Sequence, residues 1–547
     1  MAVADDLKKV IQGEVDASDR ARDIASRDAS LFRVVPEVVV RPLGTADIQA
    51  LVRYAGKNKG VSLTPRAAGT DMSGGPLTAS VSVDMLPGFT KILEVGPSEL
   101  GGFAITQPGV YFRDFDKATK EHGLELPSYT ASREICTVGG MAANDSGGEK
   151  NLKYGKTARY VEELEVVLAD GEVHTLRNLE GEELWKKLKE VSFEGDLYRA
   201  VSTLLQENKD TIKERTPVVH KNSSGYALWD IGDGIERLNL ARLFVGSQGS
   251  LGIITKIRFG LVRPKKFAAM TVLFVKSLEE LGSLVPSVLA YQPDSFESYD
   301  DNTFRLAVKY FPEFALQMKT GIIGLGFAFL PEVFMLLTGG VPKLVLMAEF
   351  RSDSQEEATG RAEKLASDIR MAHKHVQVRV AANEAATRKY WTVRHESFNL
   401  LRKKVRGKRT APFIDDFVVP PLSLPEFMPQ LEALLKEYKL TYTIAGHVGD
   451  GNFHIIPLID PKDPTMARVI EELSKKVYDL VLRYHGSISG EHNDGFIRTP
   501  FVEAMFGPKM YELFRRVEHI FDPQDIFNPG KKVGTTFASA KTYLDLG

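Results

Sequence analysis

The chain has one cysteine, Cys136, in 547 residues. That excludes an internal disulfide and any cysteine-ligated iron–sulfur cluster within the chain. It fits a reducing compartment, so a cytoplasmic location is expected. Charge of one sign is also missing. The 70 Lys and Arg against 72 Asp and Glu leave a net −2, so a nucleic-acid partner is not expected. An anionic substrate must then meet a local cluster of positive groups. The first residues, MAVADDLKKVIQGEVDASDR, lack the apolar core of a signal peptide.

Long uncharged apolar runs are nearly absent. The exception lies between Lys319 and Lys343, where the sole charge is Glu332. By count it could cross a bilayer. Pro331, Glu332 and several glycines argue against a continuous spanning helix. Buried core or a cap-like insertion is expected over 320–342. The alternative is a peripheral contact with the inner face of the membrane, through Phe327, Phe329, Phe334 and Leu336.

Histidine is scarce too, with 11 copies, yet His447, His454, His485 and His492 crowd into one stretch. The runs Tyr442–His447 and Asn452–Leu458 flank Gly449-Asp450-Gly451, which is hairpin punctuation. A turn centred on Asp450-Gly451 sets His447 opposite His454, with Cβ atoms about 5 Å apart. Two imidazoles that close can share a divalent metal. Glu491-His492, in a glycine-rich loop, offers a third ligand and a base. The competing reading makes these surface or core-edge histidines.

The length implies more than one domain. In the first half, three glycine-rich segments each enter or leave a strand: PRAAGTDMSGG from Pro65, TVGGMAANDSGG from Thr137, and GSQGSLGIIT from Gly246. None is a Walker loop or GxGxxG. Three such loops together suggest one extended ligand held by backbone N–H groups. From about residue 261, strand–helix–strand runs suggest an α+β cap. Cys136 reads as a packing residue, and Glu297 and Asp300 as structural.

These segments, with YGKTARYVEELEVVLADG, GHVGDGNFH, GEHNDGFIRTP and FDPQDIFNPGK, resemble the vanillyl-alcohol oxidase / p-cresol methylhydroxylase superfamily. Within it they resemble the branch of D-lactate dehydrogenase, the glycolate oxidase flavoprotein subunit and D-2-hydroxyglutarate dehydrogenase. The resemblance spans about residues 30–535. It implies an α+β fold with a two-part FAD-binding domain of the p-cresol methylhydroxylase type and an α+β cap. The expected boundaries are a helical segment over 1–35, the FAD domain over 36–260, the cap with the metal site over 261–520, and a return to the FAD domain over 521–547.

The resemblance implies FAD contacts from Pro65, Arg66, Ala67, Ala68, Gly69, Thr70, Asp71, Ser73 and Gly74 in the first loop. In the second region it implies Thr137, Gly139, Gly140, Asn144, Ser146, Gly147 and Tyr154, and in the third Gly246, Gly249, Gly252, Ile253 and Ile254, with Asn528 near the end. Members with covalent flavin often carry a histidine where Thr70 and Asp71 stand here, so noncovalent FAD is expected.

By the same resemblance, His447, His454 and Glu491 ligate a divalent metal, with zinc the default and manganese or iron the alternatives. Asn452 and His492 contact substrate, and His492 is the base. Arg394 binds the substrate carboxylate through its bidentate fork. Asp416 takes the family's acidic position. Ile414 stands where some relatives place a substrate-binding lysine. That argues against a dicarboxylate unless Lys403, Lys404 or Arg406 substitutes. Asn493-Asp494 replaces the commoner glycine and resembles a subgroup fused to an iron–sulfur domain.

The expected activity is dehydrogenation of a small (D)-2-hydroxy acid such as lactate, glycolate or 2-hydroxyglutarate. Electrons then pass to a separate iron–sulfur subunit or a quinone. The rivals are an oxidase using O2, a redox-neutral transferase of the alkylglycerone-phosphate synthase type, and a noncatalytic flavoprotein subunit. Monomer and homodimer both stay open.

Overall fold

The structure is a computed structural model that describes residues 2–99, 101–301, 303, 305, 340–404 and 408–546. For 396–404 it describes the backbone alone. The apolar residues expected to meet a membrane, Phe327, Phe329, Phe334 and Leu336, lie outside the described residues, as do Arg406 and the side chains of Lys403 and Lys404. Among the described residues, no helix is long and apolar enough to cross a membrane.

Among the described residues, three sheets organise the protein. The first is small and mixed. Val38–Arg41, Val81–Asp84 and Leu63–Arg66 run parallel, with Glu14–Asp16 antiparallel at one edge. The helix Thr45–Lys57 covers it, burying Ile48, Leu51, Val52 and Ala55 on one face. These residues repeat at the i, i+3, i+4, i+7 spacing of an amphipathic helix. The strand Leu63–Arg66 delivers the first glycine loop.

The second sheet is antiparallel and six-stranded, ordered Ile92–Ser98, Gly101–Thr106, Ile253–Leu261, Val161–Val167, Val173–Glu180 and Arg237–Asn239. Its strand Ile253–Leu261 alternates buried and half-buried residues along its whole length. That period of two places one face on the core.

The third sheet is eight-stranded and holds the hairpin, Thr441–His447 against Asn452–Ile459. Ser295–Asp300 pairs with the first hairpin strand and Phe417–Val418 with the second. Both partners therefore approach the turn. Helices Gln355–Ala372, Leu424–Glu437 and Met466–Arg483 bury Leu365, Leu431 and Leu473 in the cap core. The kinked helix Gly495–Phe521 runs the other way. Its Val502, Phe506, Leu513 and Phe514 pack into the core that holds the second sheet. The C-terminal segment then returns to the first sheet, where Leu63 N donates to Ile526 O and Asn528 N donates to Leu63 O.

Candidate active site

The three glycine loops meet around one cleft of about 1330 Å³, solvent mouth included. They are stitched to one another. Asn144 Nδ2 donates to Asp71 Oδ1 at 2.6 Å, and Gln248 Nε2 donates to Ser73 Oγ at 3.0 Å. Gln248 N and Gly246 N reach back to the carbonyls of Ala143 and Ala142. Gly249 has φ +74°, and a Cβ there would stand 2.5 Å from Pro65 Cγ. Only glycine lets these two loops close. The cleft extends from the loops to Glu491 and His492.

Most of the expected cofactor residues line this cleft: Pro65–Asp71, Thr137, Gly139, Gly140, Asn144, Ser146, Gly147, Gly249, Gly252 and Ile254. Ser73, Gly74, Tyr154, Gly246, Ile253 and Asn528 do not line it. Asn528 is wholly buried. Its side chain accepts from Thr64 Oγ1 and donates to the carbonyls of Gly75 and Gln248. It braces two loops from behind. Arg66 turns its guanidinium onto the carbonyls of Ala25 and Arg27. Cys136 also lines the cleft, and burial raises its thiol pKa, so it is not an activated nucleophile.

The hairpin closes one residue earlier than expected. A turn of 3-10 helix, Val448–Asp450, pairs His447 with Asn452 and His454 with Ala445. His447 and His454 are therefore diagonal rather than directly opposite. Side chains alternate along a strand, so the shift keeps both on one face, with ring centroids 5.3 Å apart. Gly451 permits the turn: its φ is +69°, and a Cβ would sit 1.8 Å from Val419 O.

The imidazoles share one pattern. Each Nδ1 faces a carboxylate, Glu297 Oε1 at 2.6 Å for His447, Asp415 Oδ1 at 3.1 Å for His454 and Asp415 Oδ2 at 2.8 Å for His492. Each Nε2 turns toward Glu491 Oε1, at 3.3, 3.3 and 3.9 Å. Carboxylates behind Nδ1 are the usual way to aim imidazoles at a metal. Donor atoms of Asp416, His454, Glu491 and His492 also lie within 4.8 Å of one another. Asp416 is already occupied, since it accepts from the backbone N–H groups of Glu491 and His492 and from Ser489 Oγ. It therefore shapes the loop. His485 is exposed and stands apart.

Burial disfavours charge on every member of this cluster, and the partners outweigh it. Asp415 and Glu491 push His454 up to about 10, and Glu297 raises His447. The carboxylates of Asp416 and Asp415 raise His492. Lys221, His447 and His454 hold Glu491 well below the usual carboxylate range. Among the described residues here, five carboxylates (Glu297, Asp415, Asp416, Asp450 and Glu491) face three fixed cations (Lys221, Arg394 and Arg498). With neutral imidazoles the cluster lacks two positive charges. A field that binds protons this tightly also favours a divalent cation, so the donor set and the charge both fit one.

The family described as FAD binding domain matches residues 36–177, and that described as FAD linked oxidases, C-terminal domain, matches 264–532. The chain belongs to the FAD-linked oxidases. It is 29% identical to the D-2-hydroxyglutarate dehydrogenase of Pseudomonas putida, over 97% of this chain and 51% of that protein. The chain thus spans about half the length of the first curated relatives it matches. It is 27% identical to the D-lactate dehydrogenase of Archaeoglobus fulgidus, over 93% of both proteins. The solved structure of p-cresol methylhydroxylase with substrate bound superposes with a TM-score of 0.69, at 15% identity, over 98% of this chain and 97% of that one. That likeness shows the two-part FAD-binding fold with its cap.

In this FAD-linked oxidase, Arg394 comes from the cap helix Glu384–Lys404 and lies 3.4 Å from Glu297 Oε2, on the far side of Glu297 from His447. Asn452 is wholly buried. Its amide donates to Asp416 and to Phe417 O and accepts from Lys221 Nζ. Its role there is to hold the hairpin against the acidic strand. Ile414 is buried in the cap core, so no cation from that position reaches the cleft. Asp300 is structural as expected, accepting from Thr303 N and Ile444 N.

Sequence reasoning missed three groups. Glu297, read as merely structural, backs His447. Asp415, one residue from the acidic position, backs two imidazoles. Lys221 comes from the first half and is wholly buried against the cluster. Only the pair Asp415-Asp416 beside an apolar strand hinted at buried carboxylates.

Proposed function

We propose that this FAD-linked oxidase dehydrogenates a small (D)-2-hydroxy acid with noncovalent FAD and one divalent metal, zinc by default. The observation that carries it is the shared cleft, glycine loops at one end and Glu491 with His492 at the other. Bound FAD accepts the Cα hydride, and a bound divalent ion lowers the pKa of the substrate hydroxyl.

The protein's own residues do the rest. His447, His454 and Glu491 hold the ion. Arg394 pairs with the substrate carboxylate and fixes which face of Cα meets the flavin. Asp415 Oδ2 lies 2.8 Å from His492 Nδ1 and holds that side of the ring by charge, and Nε2 is the nitrogen that would take the hydroxyl proton. His492 would take the hydroxyl proton, and bound FAD would supply the two-electron acceptor that balances oxidation of the alcohol to the carbonyl. Ile414 stands where some relatives place a substrate-binding lysine, which argues against a dicarboxylate unless Lys403, Lys404 or Arg406 substitutes. A separate iron–sulfur protein or a quinone would be the electron acceptor, since the single Cys136 cannot hold a cluster.

Anaerobic mixing with a panel of D- and L-2-hydroxy acids tests this. The flavin should bleach with a small (D)-2-hydroxy acid and stay oxidised with its enantiomer. No bleaching by any member would remove the reading. Fast reoxidation in air with stoichiometric peroxide would make it an oxidase instead.

A further inference from the structure

Lys221 sits where a cation is least expected. Its side chain is wholly buried beside a site that already favours a divalent ion. Nζ lies 3.1 Å from Glu491 Oε2, 3.3 Å from Asn452 Oδ1 and 3.6 Å from Asp450 Oδ2. Burying an ammonium carries a desolvation penalty that its partners must offset. Coulomb repulsion from a bound metal adds to that cost. The arrangement calls for a specific role.

The two oxygens of Glu491 supply one. Oε1 faces His447 and His454, whereas Oε2 faces Lys221. The carboxylate is split between two tasks. From these distances we infer that Lys221 is a positioning residue that fixes Glu491 as a one-oxygen ligand and so sets the metal preference of the site. The inference rests on the metal reading above. Calcium takes six to eight oxygens and is commonly held by two-oxygen carboxylates. Zinc is satisfied by about four ligands, imidazole nitrogen and a single carboxylate oxygen among them. Withholding Oε2 therefore penalises the first ion and not the second.

The lysine is itself held in place. Asp450, in the hairpin turn, contacts Lys221 through Oδ2, and its Oδ1 bonds the half-exposed His220. Asn452 opens the second hairpin strand and meets the same ammonium. The turn that positions His447 also positions the group restraining its fellow ligand.

The test titrates zinc and calcium separately into metal-stripped protein carrying FAD, and compares the ratio of affinities. Wild type should prefer zinc. Lys221→Met should lower the zinc-to-calcium ratio by about tenfold or more, the range found for outer-shell partners. Lys221→Gln, which keeps a donor toward Oε2, should restore much of it. Parallel shifts for both ions would mean that only charge was removed and would overturn the inference. If wild type binds neither ion, the metal reading itself fails. Should Lys221→Met not fold, the zinc-loaded wild-type crystal structure decides. One Glu491 oxygen on zinc with the other on Lys221 supports the inference, and both oxygens on zinc overturn it.

Discussion

Glu297 Oε1 lies 2.6 Å from His447 Nδ1, with both side chains almost fully buried. The carboxylate fixes the tautomer and leaves Nε2 free for a ligand. Glu297→Gln should weaken metal binding by about 10–100-fold while the flavin absorbance stays intact. Titration of metal-stripped protein measures it. Unchanged affinity would return Glu297 to a purely structural role.

Protons compete with a metal for the ring lone pairs of His447 and His454. His454 has its pKa raised from 6.5 to about 10. A folded-state pKa above the unfolded one stabilises the metal-free protein below 6.5, and that gain is lost as pH rises through 10. The denaturation midpoint of metal-free protein should therefore fall across this window. Added zinc should give a larger increment at about pH 9 than at about pH 6, because fewer protons must leave. Equal increments at both would contradict the cluster as the binding site.

His492 is expected to act on substrate rather than on flavin or metal. His492→Ala should keep both cofactors and slow anaerobic flavin reduction by about 10²–10⁴-fold. Stopped-flow reduction together with metal analysis separates the roles. A lost metal equivalent would make His492 a ligand instead of the base.

Noncovalent FAD follows from Thr70 and Asp71. The Asp71 carboxylate is occupied by Ser73, Gly75 and Asn144, so it is a brace for the loop. Acid precipitation should leave the yellow colour in the supernatant. Colour retained in the pellet would show a covalent link.

The elements were largely readable because their periodicities were strong. The hairpin strands lie within one residue of expectation. The three loops were readable because clustered glycines leave a mark in the sequence; in the first and third loops several of them adopt positive φ. The hairpin register was not. Its turn is stabilised by the approach of Val419 to Gly451, a contact between segments 32 residues apart. Lys221 was hidden for the same reason. A lysine in a polar segment reads as solvated, and only the return of residues 450 and 491 buries it. The run 320–342 lies almost wholly outside the described residues, so its reading stands as an expectation.

Asn528 ties the strand Leu63–Arg66 and the loops at Gly75 and Gln248 to the last twenty residues of the sequence. Lys532 likewise clamps Asp494, beside the His492 loop. A polypeptide emerging from the ribosome presents its glycine loops long before these clasps exist. The latch on the flavin cleft is thus complete only once residues 528 and 532 are present. A polypeptide halted before residue 528 would carry all three glycine loops with this latch still missing.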